Sequence, residues 1–140
     1  MARVLVVEDD VAVLRLLEAV LRHAGFEVRG ADDGQVGVEL LDESIDVLLC
    51  DKNLPGLAGT QVVLEARRRF PRLTTVLMTA APEPLALAEL GLDGYLAKPF
   101  RSNALVVQTL EAARERRRQT LEREQLETTL AATRVRLEKR

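Results

Sequence analysis

The chain has 140 residues, of which 47% are hydrophobic, 30% charged and only 3% aromatic. That suffices for one domain with a core of Leu, Val and Ala, plus an appendage. The single cysteine, Cys50, excludes an internal disulfide and fits a reducing compartment; no apolar run is long enough to span a bilayer and no signal peptide opens the chain, so the expected location is cytoplasmic, with no membrane contact.

Arg3-Val4-Leu5-Val6-Val7 is a β-branched run, read as the first strand, and it ends in Glu8-Asp9-Asp10. Val13, Leu17, Val20, Leu21 and Ala24 recur at helical spacing, with Asp10 as N-cap and Gly25 where a left-handed C-terminal residue belongs. Phe26 to Ala31 makes a more polar second strand, suited to a sheet edge. A turn at Asp32-Asp33-Gly34 leads to a short helix from Val36 to Leu41. Ile45 to Cys50 is a third strand, apolar enough to be buried on both faces. It stops at Asp51, and Lys52-Asn53-Leu54-Pro55-Gly56 follows as a turn. A helix from about Thr60 to Arg69 is ended by Pro71. Thr75 to Met78 is the fourth strand, ending in Thr79. Pro82 and Pro84 leave room only for a short helix over Leu85 to Leu90. Tyr95-Leu96-Ala97 is the fifth strand, followed by Lys98-Pro99. Ser102 is a good N-cap, and from Asn103 onward there is neither Pro nor Gly, so one helix should run to near Arg140. Strand and helix alternate through residues 3–100, which predicts an α/β fold with a doubly wound, five-stranded parallel sheet.

Parallel strands end on one edge, where open α/β sheets place their binding crevices. That edge receives Glu8, Asp9, Asp51, Thr79 and Lys98. Three clustered carboxylates repel one another, and a hard divalent cation such as Mg²⁺ relieves them while leaving positions for phosphate oxygens. Lys98 and Thr79 can hold further phosphate oxygens, and an Asp carboxylate is a competent nucleophile toward phosphorus. The set points to Mg²⁺-assisted phosphoryl transfer to Asp51.

On these motifs residues 3–102 resemble the receiver domain of bacterial two-component response regulators. The resemblance implies a flavodoxin-like strand order 2-1-3-4-5. It implies Asp51 as phosphoacceptor from a histidine kinase or phosphotransfer protein, with Mg²⁺ held by Glu8, Asp9, Asp51 and the backbone carbonyl of Asn53. Lys98 would pair with the phosphoryl group, Thr79 would hydrogen-bond it and shift inward, and Tyr95 would then turn inward as an aromatic switch. Lys98-Pro99 would be a cis peptide bond. Such a receiver would phosphorylate and dephosphorylate itself without being a turnover enzyme. Two departures stand out. Glu8 occupies a position where many receivers carry Asp. Thr79 and Lys98 also lie closer together than in typical receivers, which remodels the face that usually carries output or dimer contacts.

Residues 1–102 form the expected receiver body, and 103–140 a helical tail. The first 100 residues carry a net −6 and the remaining 40 a net +4. Leu105, Val106 and Leu110 can pack on the sheet, but beyond Ala113 no domain is left to cover the helix. Leu121, Leu126, Leu130 and Leu137 make a sparse stripe there, with heptad spacing over the last three. A homodimer through residues 110–140 and a helix that awaits another partner both remain open, as does an output domain in a longer chain. Arg114 to Arg118 and Arg67 to Arg69 read as solvated helix surface. Glu115 interrupts the former and no helix-turn-helix pattern follows, which argues against nucleic acid.

Three other readings compete with a phosphorylation-controlled receiver. The short fourth helix and long tail suit a docking or dimerisation module that uses no phosphate. A haloacid dehalogenase-type phosphatase would want an acid where Asn53 stands. A nucleotide-binding domain would want a glycine-rich loop where Glu8-Asp9-Asp10 stands. Cys50 reads as a packed thiol, and His23 as a helix-end residue without metal-ligand companions.

Overall fold

The computed structural model describes residues 1–81 and 89–139. Its elements in order are β1 (Arg3–Val7), α1 (Val11–His23), β2 (Glu27–Ala31), α2 (Gly34–Leu40), β3 (Val47–Asp51), α3 (Gly59–Arg69), β4 (Thr74–Thr79), β5 (Gly94–Ala97) and α4 (Asn103–Glu138). The strands form one parallel sheet in the order β2-β1-β3-β4-β5, the order the resemblance implies. The short helix expected over Leu85 to Leu90 falls mostly on 82–88, outside the described residues.

Apolar packing covers both faces of the sheet. Val4, Val6, Val47, Leu49, Val76 and Met78 face Leu14, Leu17 and Leu21 of α1 and Val106, Leu110 and Ala113 of α4. Leu5, Val7, Leu48, Cys50 and Leu77 face Val62, Val63 and Ala66 of α3. All five residues of β3 are buried because a covered strand lies on each side of it. β2, at the edge, buries only Ala31 fully. β3 starts two residues later than its apolar run suggests and includes Asp51, while β4 takes in Thr74 and Thr79 at its ends. Asp10 and Ser102 cap α1 and α4 as expected, accepting from Ala12 N–H at 3.0 Å and from Leu105 N–H at 3.1 Å.

The solvated reading of the two arginine clusters is corrected at Arg67 and Arg117. Asp93, in the loop before β5, is 2% exposed. It accepts from Arg117 Nε at 2.9 Å, Arg67 Nη2 at 3.1 Å and the Thr75 N–H at 2.8 Å. Arg116 donates to the Asp93 carbonyl at 2.7 Å. Burial lowers the Arg67 pKa, with Arg117 adding repulsion and Asp93 opposing both. This network joins α3, the start of β4 and α4, so the tail helix stays attached one turn beyond Ala113. From Glu122 to Lys139 every residue is exposed. No helix among the described residues is long and apolar enough to cross a membrane.

Candidate functional site

Four of the five strands deliver site residues to the same rim. Glu8 and Asp9 follow β1, Asp51 ends β3, Thr79 ends β4 and Lys98 follows β5. Glu8 is held there by its own N–H, which donates to the Ala31 carbonyl at 3.0 Å as though the ladder continued. The loop after Asp51 closes on itself, with Gly59 N–H donating to the Lys52 carbonyl at 3.0 Å. Gly56 supplies the left-handed residue of that turn, at φ 73°. Gly59 sits so close to β3 that a Cβ there would come within 1.9 Å of the Asp51 carbonyl oxygen. The start of α3 can therefore press on the base of Asp51 only because this residue has no side chain.

Carboxylate oxygens of Glu8, Asp9 and Asp51 all lie within 4.8 Å of one another. Glu8 is wholly buried, Asp51 is buried and Asp9 is exposed. The Lys98 ammonium donates to Glu8 Oε1 and, at 3.2 Å, to Asp51 Oδ2. Asp51 Oδ1 accepts from the Asn53 N–H at 3.4 Å. Burial, reinforced by the neighbouring Asp51, pushes the Glu8 pKa up to about 7, although Lys98 pulls it the other way. For Lys98, burial alone would lower the pKa, but Glu8 and Asp51 prevail and hold the ammonium above its ordinary range.

Glu8 Oε2 is buried and has no hydrogen-bond partner among the described residues. Such an orphaned carboxylate oxygen needs explaining, since a buried acceptor normally finds a donor. Beside two other carboxylates it matches a hard divalent cation, so the residues present fit Mg²⁺.

The remaining expected residues differ in how they stand to this cluster. The Thr79 hydroxyl is buried and accepts from the Ala81 N–H at 3.2 Å. The Thr79 carbonyl accepts from the Lys98 N–H at 2.9 Å, and Lys98-Pro99 is cis. Asn53 meets Asp51 through its backbone, with its side chain exposed. Tyr95 is turned outward on β5, with 38% of it exposed. Burial and the neighbouring acids raise the Cys50 thiol well above its ordinary range, as suits an inert packed group. Sequence reasoning missed two residues that position the scaffold. Asp33 caps α2, accepting from Val36 N–H at 2.7 Å. Glu18 is buried under β2 and paired with Arg15 and Arg22 at 3.1 and 3.4 Å.

A family model described as the response regulator receiver domain matches residues 4–111. The transcriptional regulatory protein CpxR of Escherichia coli (strain K12) is 38% identical over 109 residues, covering 76% of this chain and 47% of that protein. The uncharacterized transcriptional regulatory protein YrkP of Bacillus subtilis (strain 168) is 32% identical over 138 residues, covering 96% of this chain and 59% of that protein. Among solved structures, the Vibrio cholerae chemotaxis protein CheY4 superposes with a TM-score of 0.75 at 27% identity, over 81% of this chain and 98% of that one. The chain thus spans about half the length of the curated relatives it matches.

Proposed function

Because the chain belongs to the response regulator receiver domain family of two-component signalling, we propose that it accepts a phosphoryl group on Asp51 and passes the change to α4. The observation that carries this reading is the contact of one ammonium, Lys98, with both Asp51 and Glu8, inside a cluster that Asp9 completes. The donor is the phosphohistidine of a histidine kinase or phosphotransfer protein. An Asp51 carboxylate oxygen attacks the phosphorus, the P–N bond breaks, and its electron pair stays on the imidazole nitrogen, which takes up a proton.

Glu8, Asp9, Asp51 and the Asn53 carbonyl would hold Mg²⁺. When bound, the cation supplies positive charge to the oxygens of the group in transfer. Lys98 moves from the carboxylates to a phosphoryl oxygen. Thr79 gives up its Ala81 contact to donate its hydroxyl to another. Tyr95, outward in this state, then has room to turn in. Water later attacks the phosphorus, releases inorganic phosphate and restores the carboxylate. The chain acts as a switch with self-catalysed phosphorylation and dephosphorylation, and does not turn over an external substrate.

The test is intact-protein mass after incubation with acetyl phosphate and Mg²⁺. One added phosphate on the parent chain, none on Asp51→Asn and none when Mg²⁺ is chelated is the expected result. An unmodified parent chain would overturn the reading in favour of a docking module that uses no phosphate.

A further inference from the structure

The packed side of α4 carries Val106, Leu110, Ala113 and Arg117. At 3.6 residues per turn, Leu126, Leu130, Thr133 and Leu137 fall on the opposite side of the helix, within about 60° of one another. The three leucines are 59%, 57% and 63% exposed. Most helical stability in proteins comes from packing of an apolar face, and this segment has no such packing among the described residues of the chain. By this spacing the stripe lies on the side of the helix opposite its packed residues, and at its near end Leu126 also lines a groove with Arg72, in the loop before β4.

The charges choose the occupant and its direction. Residues 122–127 carry three Glu and one Arg, a net −2, and residues 134–139 carry two Arg, one Lys and one Glu, a net +2. A second copy laid parallel would set acidic against acidic and basic against basic. In heptad geometry Glu122 of each chain would flank Glu127 of the other, two repulsive pairs. Laid antiparallel, with Leu126 level with the second copy's Leu137 and Leu130 level with its Thr133, Glu127 of each chain flanks Arg134 of the other. Two attractive pairs replace two repulsive ones, and the helix dipoles oppose instead of aligning.

We propose that the free part of α4 pairs with the same segment of a second copy of this chain, and that the two helices run antiparallel. The proposal deepens the output role given to α4 and rests on that reading for its purpose, though its geometry is independent of phosphate. Three leucines per chain make the contact small, so the dimer is weak and concentration-dependent.

Two measurements on the full chain test it. Leu126→Cys and Leu137→Cys variants, tagged for different mass, are mixed and oxidised; buried Cys50 does not compete. Antiparallel pairing gives the mixed 126–137 disulfide. Parallel pairing gives only 126–126 and 137–137 products and overturns the proposal. In sedimentation equilibrium, Glu127→Arg should weaken association about fivefold by turning two attractive flanks repulsive, and adding Arg134→Glu should restore it. A parallel dimer would respond oppositely, since Glu127→Arg would relieve its Glu122 contacts. A parent chain that stays monomeric at the highest soluble concentration also overturns the proposal. Neither measurement reads phosphate, so failure here leaves Asp51 phosphorylation standing or falling on its own mass measurement.

Discussion

Glu8 is a buried carboxyl whose charge responds to mild changes of pH. Its folded pKa of about 7 lies above the ordinary 4.5. Its contribution to stability is therefore complete below pH 4.5 and is lost as pH rises through 7. In chelator, thermal unfolding should show about 2 kcal/mol less stability at about pH 8 than at about pH 5 from this group, and Glu8→Gln should remove that slope. Mg²⁺ affinity should run the other way, rising with pH through 7, with a proton released on binding that calorimetry in buffers of different ionisation enthalpy would register. Gly59→Ala should cost about 2 kcal/mol or more by denaturant unfolding, because the new methyl group meets the Asp51 carbonyl. These residues were unequally legible. Glu8, Asp9, Asp51 and Lys98 could be placed from sequence because parallel strands end together. The reach of Lys98 to Glu8 and Asp51 could not, since it joins residues 90 and 47 positions apart. The packing that makes Gly59 necessary left no mark beyond the glycine itself.

At the scale of elements, strands were legible where apolar residues run without interruption, as in Val47 to Cys50. Their ends were not, because Thr74, Thr79 and Asp51 are polar yet buried by neighbouring strands. The Asp93 network was hidden for a related reason. Arginines on a helix usually face water, and only partners 24 and 26 positions away reveal that Arg117 and Arg67 do not. Removing the shared acid leaves two buried cations without their partner. Asp93→Ala should therefore cost roughly 3 kcal/mol in denaturant unfolding. Arg117→Leu should cost less, since Arg67 and the Thr75 N–H still hold Asp93 Oδ2 and keep its charge paired, although Oδ1 loses the Arg117 donor. Its signature should be local: faster amide hydrogen exchange in α4 beyond Ala113, with β3 and β4 unchanged.

For the whole molecule, the proposed cation binding would be linked to stability, because the carboxylates converge only when the sheet is formed. Mg²⁺ at about 100 times its dissociation constant should raise stability by about 2.7 kcal/mol, read as a rise in Tm, and Asp9→Asn should abolish most of that rise. The acidic cluster lies at one end of β4 and the Asp93 network at the other, so β4, which ends in Thr79, also holds the anchor of α4 through Thr75, and Tyr95 follows Asp93 by two residues. That arrangement has a mechanical consequence. Arg117 is the last held point of a rigid rod, and Leu137 lies about 30 Å further along it. A tilt of about 10° at that fulcrum sweeps the far leucine sideways through about 5 Å, roughly half the distance between two packed helix axes. A displacement too small to disturb the packing of the sheet would thus reach Leu137 large enough to part it from a helix lying beside it.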